Sequence, residues 1–265
     1  MAEHPSRVGK STRAVHAGER EQRETSSLTA PIHQTSTFWF EQTEELRAYA
    51  EGRLVRDEYG RYSNPTWRTV ERKISELEGA EEAVLFASGM CAATTTFLAM
   101  LQRGAHIVVT SDCYRRTRQF IQQYLSKLDV EATVIQPANT IQLKEAIRDE
   151  TCFFFSESPT NPYLRVLDLP EAARIAHERG VKVIIDSTLA SPMNYRPLAD
   201  GADLVIHSAT KYLGGHNDLL AGVVAGPAEV VQPIRAAVGV LGGVIDAHAA
   251  YLLLRGIKTL GIRME

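Results

Sequence analysis

Seven short β-rich runs, at 83–87, 106–110, 130–135, 152–156, 181–185, 203–207 and 222–225, alternate with helical patterns through most of this chain. Parallel strands must be joined by a crossover of a dozen or more residues, which a helix supplies. The alternation therefore predicts the α/β class, with a mainly parallel seven-stranded sheet flanked by helices. Val70, Ile74 and Leu77 share one helical face ahead of Gly79, Pro170 stands early in a helix running toward Arg179 and Gly180, and 247–263 carries another helical pattern. Residues 1–28 are polar and charged with no sustained period, which reads as an arm that orders only against a partner surface.

Composition narrows the partners. With 44% hydrophobic residues, 265 positions can bury a full core. Lys+Arg number 29 against 32 Asp+Glu, so no field draws the chain to nucleic acid or to a membrane surface, and a small molecule is the expected ligand. No apolar stretch approaches the ~20 residues of a membrane span, and the charged start lacks the apolar core of a signal peptide. Cys91, Cys113 and Cys152 have no metal-ligand spacing and border apolar runs. They read as buried thiols of a reducing, cytoplasmic compartment, and no metal site is expected. No G-x-G-x-x-G follows a strand, which leaves a nicotinamide-binding domain with little support.

In an open α/β sheet the ligand sits at the carboxyl ends of the strands. Four of those ends carry polar residues. Ser88, Gly89 and Met90 open a helix, where free N–H groups grip a phosphate or the serine simply caps. Asp186 can pair with a protonated ring nitrogen or cap its loop. After 203–207, Ser208 and Thr210 stand directly before Lys211, whose other reading is a solvated loop charge. Glu157 opens a loop whose Pro159 and Pro162 make a rigid turn, or set Asn161 against a cofactor ring. Lysine, upstream aspartate and phosphate cradle together are the minimum set for pyridoxal 5'-phosphate (PLP). Lys10, Lys73, Lys127, Lys144, Lys182 and Lys258 fall in helical or charged surface patterns.

The stretches EYGRYSNPT (58–66), ASGMCA (87–92), DCYRRTR (112–118), ESPTNP (157–162), HSATKYLGGHND (207–218) and LGG (241–243) give the chain a specific resemblance. From Ser11 onward it resembles the PLP-dependent family of Cys/Met metabolism, and within it the plant-type cystathionine γ-synthase branch. The resemblance implies the aspartate-aminotransferase-like fold, PLP fold type I. Residues 1–60 would form an N-terminal arm and a segment contacting the neighbouring subunit, and 61–265 the large PLP-binding domain. The C-terminal small domain, with the arginine that clamps the substrate α-carboxylate, would be missing or truncated, and no residue here matches that arginine.

The resemblance also assigns roles. Lys211 would hold PLP as a Schiff base and then act as general base, while Asp186 keeps the ring nitrogen protonated. Gly89, Met90, Ser208 and Thr210 would hold the phosphate, and Tyr114 would stack on the ring. Ser88, Glu157, Asn161 and Thr188 complete the cofactor-binding set. Tyr59 and Arg61 would reach a neighbour's phosphate, so that a homodimer or homotetramer shares its sites. The implied reaction is a γ-replacement in methionine biosynthesis, a transsulfuration step joining an activated homoserine ester to cysteine. The alternatives are a γ-elimination lyase, an O-acyl-homoserine sulfhydrylase, or a PLP-binding chain without turnover. Read from the residues themselves, Arg115, Arg116 and Arg118 at a helix opening oppose its dipole, so they either form a solvated face balanced by acids such as Asp112 or face the substrate and favour an anionic ester.

Overall fold

The computed structural model describes residues 9–19 and 27–265. Its strands are β1 (Glu82–Phe86), β2 (His106–Thr110), β3 (Glu131–Ile135), β4 (Thr151–Glu157), β5 (Lys182–Asp186), β6 (Leu204–His207) and β7 (Gly222–Gly226). The helices are α1 (Lys10–His16), α2 (Thr43–Ala50), α3 (Pro65–Glu78), α4 (Gly89–Met100), α5 (Arg115–Gln123), α6 (Thr140–Ala146), α7 (Leu169–His177), α8 (Ser191–Asn194), α9 (Ala228–Leu241), α10 (Ala247–Ile257) and α11 (Leu260–Met264). The strands form one sheet in the order β1-β7-β6-β5-β4-β2-β3. Only β7 runs against its neighbours, β1 and β6.

Both faces of the sheet are covered, which is why the strands read as near-continuous apolar runs. Val84 and Phe86 of β1 share one core with Phe153 and Phe155 of β4 under Phe97 of α4 and Ile234 of α9. Ala83 and Leu85 point the other way, onto Val70, Ile74 and Leu77 of α3 and Leu253 of α10. Val183 and Ile185 of β5 meet Ala172 and Ile175 of α7 in a third cluster on that second face. The α3 face is set by local signals. The Asn64 side chain caps the helix by accepting from Thr66 N–H at 2.8 Å, Pro65 fixes its first turn, and Gly79 ends it at φ 75°. Val70 and Ile74 are fully buried, which contributes about 1.5–3 kcal/mol each.

Four sequence expectations are corrected. Lys73 does not lie at the surface. It is wholly buried, pairs with Glu19 at 3.0 Å, and donates to the carbonyls of Ala14 and Val15 at 3.0 and 2.8 Å. Those bonds tie α1 to α3 of the same chain, so 9–19 is ordered without a partner surface; residues 1–8 and 20–26 of the expected arm lie outside the described residues. The helical pattern at 247–263 is two helices, broken between Ile257 and Leu260. Of the three free thiols only Cys113 is buried, and Cys91 and Cys152 are half-buried.

Candidate active site

The parallel strands end at one edge of the sheet, and the register sets acidic residues there side by side. Glu157 closes β4 directly opposite Asp186, which closes β5 opposite Ile206 of β6. A cavity of about 740 Å³ opens over these ends, within the range of small-molecule sites. Its wall includes Ser88, Gly89, Met90, Tyr114, Glu157, Asn161, Asp186, Thr188, Ser208, Thr210 and Lys211. Tyr59 and Arg61 lie elsewhere. The Arg61 guanidinium donates to the Gly239 carbonyl and sits over the Tyr59 and Tyr62 rings, 5.3 and 5.0 Å from their centroids.

One threonine organises the floor. Thr188 accepts from the Ser208 N–H at 2.8 Å and donates its hydroxyl to Asp186 Oδ1, which also accepts the Thr188 N–H at 3.0 Å. The ends of β5 and β6 are thus tied together. Asp186 Oδ2 has no hydrogen-bond donor among the described residues. Burial raises the Asp186 pKa, against the two Thr188 bonds and the His207 imidazole. The His207 Nε2 is itself 2.5 Å from Glu78 Oε1 in the buried layer behind β6.

Glu157 is the second perturbed acid. Burial, and then the charge of Asp186 in register beside it, push it up to about 8, against the backbone N–H groups of Tyr114 and Asn161. Its Oε2 is buried without a hydrogen-bond partner among the described residues. Burial and Glu157 likewise raise the Cys113 thiol, which takes that cysteine out of nucleophilic chemistry.

At the other end of the cavity α4 begins. Ser88 Oγ caps it, accepting from Cys91 N–H at 3.1 Å, while the N–H groups of Gly89 and Met90 in the first turn have no acceptor within the helix. The Ser88 side chain therefore caps the helix, and the same turn lines the cavity. Gly89 is required by contact, because a Cβ there would stand 2.6 Å from that of Ser208. The Thr210 hydroxyl is occupied, donating to the Ala221 carbonyl at 3.2 Å and accepting from the Ala221 N–H at 3.0 Å. It fixes the loop that carries Lys211.

These groups fit PLP. An aspartate oxygen without a donor, in a desolvated strand end, suits a protonated pyridine nitrogen. A helix N-terminus beside Ser208 suits a phosphate, and Lys211 on the intervening wall suits an aldehyde. Thr117, Leu189, Tyr212, Gly215, Asn217, Leu220 and Arg263 also line the cavity and were missed from sequence. Thr117, Tyr212, Gly215 and Asn217 fall inside quoted motifs and could have been drawn from them, but Arg263, far along the chain, carries no local signal.

A second cavity of about 560 Å³ lies beyond Tyr114 and Asn161, lined by Arg115, Arg118 and Arg165 with Asp112. Arg116 stays on the exposed face of α5 and donates to Gln119 at 2.7 Å. Among the described residues no helix is long and apolar enough to cross a membrane, and no group of side chains is arranged to hold a metal ion.

Comparison with known proteins identifies the family. The profile of the family described as Cys/Met metabolism PLP-dependent enzyme matches residues 11–265. The chain is 50% identical to the chloroplastic cystathionine gamma-synthase 1 of Nicotiana tabacum, over 95% of this chain and 47% of that protein. It is 50% identical to that of Arabidopsis thaliana over 95% and 45%, and 38% identical to the cystathionine gamma-lyase of Bacillus subtilis over 97% and 65%. The crystal structure of metB from Corynebacterium glutamicum has a TM-score of 0.91 at 34% identity, covering 98% of this chain and 66% of that one. The chain spans about half the length of the two plant relatives it matches. It belongs to the Cys/Met metabolism family of PLP-dependent enzymes.

Proposed function

We propose that this chain performs a γ-replacement, joining an activated homoserine ester to cysteine to give cystathionine, and that Lys211 and Asp186 are its central residues. The observation that carries this reading is a strand-end cavity joining Lys211, an aspartate with an open oxygen and a helix N-terminus, in a chain 50% identical to plant γ-synthases and 38% identical to a γ-lyase. PLP, when bound, stabilises negative charge developing at the substrate Cα and Cβ. Asp186 holds the proton on the ring nitrogen that makes this possible. With PLP held, the Lys211 amine would take the proton from Cα, hand it on beside the ring, and only then take one from Cβ, so that the γ-substituent would leave with its bonding pair and the cysteine thiolate would bond at Cγ as protons return to Cβ and Cα. Tyr114 stands on the cavity wall where it can accept the proton of the entering substrate amine.

The leaving group follows from charge. Arg115, Arg118 and Arg165 border the second cavity, whose wall shares Tyr114 and Asn161 with the first. A phosphate or succinate ester would gain from them what a neutral acetyl ester would not. Arg116, solvated on the outer face of α5, takes no part. Tyr59 and Arg61 serve the phosphate of a neighbouring copy, in a homodimer or homotetramer. For the compartment we propose the cytoplasm, on the three free thiols; the two plant relatives are named chloroplastic.

The test supplies PLP-saturated protein with cysteine and, in turn, O-phospho-, O-succinyl- and O-acetylhomoserine. Cystathionine should be the product, with kcat/KM higher for the two anionic esters, and Arg118→Ala should erase much of that difference. Release of α-ketobutyrate at the same rate with or without cysteine would assign the chain to the lyases instead.

A further inference from the structure

Arg263 stands 52 positions after Lys211, yet its guanidinium lies against the loop that carries the lysine. Nη1 donates to the carbonyl of Tyr212, the next residue after Lys211, at 2.6 Å. Nη2 donates to the carbonyl of Gly256 at the end of α10 at 2.7 Å, and Nε to the Thr259 hydroxyl at 3.0 Å. All three guanidinium nitrogens are thus engaged by neutral oxygens. Among the described residues no carboxylate pairs with this arginine. It lines the cavity all the same. A cation on the last carbonyls of a helix is favourably placed, and here the same cation reaches from that helix end to the catalytic loop.

The loop is shaped to receive it. Gly215, at φ 75°, lies flat under the guanidinium, and a Cβ there would come within 2.3 Å of Arg263 Cζ. Behind it, a Cβ on Gly256 would meet the Gly214 carbonyl at 2.2 Å, so α10 touches the loop backbone directly. Within the loop, Lys211 N–H donates to the Ser208 carbonyl at 3.0 Å, and Gly215 N–H to the Lys211 carbonyl at 2.7 Å. Thr210, bonded both ways to Ala221, holds the start of the turn. Leu213 of the loop packs in the apolar cluster that holds Leu253, Leu254 and Ile257 of α10 and Leu260 of α11, and Arg263 adds the polar tie between the loop backbone and the ends of those helices.

We infer that Arg263 is a positioning residue for the reaction: it ties the loop bearing Lys211 to the ends of α10 and α11, and so fixes where the lysine amine stands in the cavity. This rests on the reading of Lys211 as the cofactor lysine. Looser anchoring should lower the chemical step more than binding, because a misplacement of about 1 Å in a reacting group can cost on the order of 100-fold.

The test compares the full chain with Arg263→Met, which keeps the stem and loses every donor, and Arg263→Lys, which keeps the charge and a single donor group. Amide hydrogen exchange without PLP should quicken at least about tenfold at 211–215 in Arg263→Met, with the amides of β4 and β5 unmoved. With PLP saturating, kcat should fall about tenfold or more with KM within about twofold, and Arg263→Lys should recover part of kcat. Unchanged exchange at 211–215, or exchange rising equally in β4 and β5, would overturn the proposal. So would a kcat loss that Arg263→Lys shares in full. Should Arg263→Met fail to fold, Arg263→Lys alone is read against the wild-type chain by the same two measurements, and a change in neither overturns it. The loop exchange does not depend on which lysine holds PLP, so failure of the cofactor assignment would show separately, as PLP trapped on another lysine.

Discussion

Glu157, held up at about 8 by burial and by Asp186 beside it, carries a proton in the folded chain at neutral pH and loses it in the unfolded chain, where it titrates near 4.5. Between those values the folded state binds more protons than the unfolded state. Stability from this group is therefore full below about 4.5 and is lost as pH rises toward 8. Asp186, also raised by burial, acts in the same direction. The PLP-free chain should accordingly show a falling urea midpoint between pH 5 and pH 8, and Glu157→Gln should flatten that fall without abolishing it. Parallel pH profiles for the two proteins would mean that Glu157 is ionised throughout. At this scale the sequence made the acids visible as strand ends. It did not make their interaction visible, because the pairing of Glu157 with Asp186 depends on the register of β4 against β5.

The strands are legible because their apolar runs are local. All seven lie within a few residues of the expected runs, and mainly parallel pairing follows from the intervening helices. The antiparallel course of β7 was not legible, since a strand's direction is fixed by which neighbours it joins and not by its own residues. Lys73 was misplaced for a related reason. In α3 it looks like one more charged position, and only the docking of α1 supplies the carbonyls and the Glu19 carboxylate that let it be buried. Removing one partner of a buried charge pair commonly costs about 3–5 kcal/mol. Lys73→Met should therefore lower unfolding stability by about 3 kcal/mol and release 10–16 to rapid hydrogen exchange. A loss under about 1 kcal/mol with α1 still protected would show that the helix is held by its apolar contacts alone.

Across the whole molecule, Tyr59 and Arg61 lie away from the cavity of their own chain. If they complete a neighbour's phosphate site, Arg61→Ala should weaken PLP binding by about 1.5–3 kcal/mol, and Lys211→Ala should lack the covalent link. Mixed subunits of the two variants form one site with both residues native, so mixing should restore tight, covalent PLP binding to that site alone. Failure of the mixture to recover any would confine both residues to their own chain. The fold, the register of the acids and the Arg263 tie all converge on one atom, the amine of Lys211. Its assignment is tested by reducing the PLP-loaded chain with borohydride and locating the phosphopyridoxyl group by peptide mass spectrometry. The label should sit on Lys211 and vanish in Lys211→Ala, whereas a full-yield label on another lysine, or its persistence in that variant, would contradict the assignment.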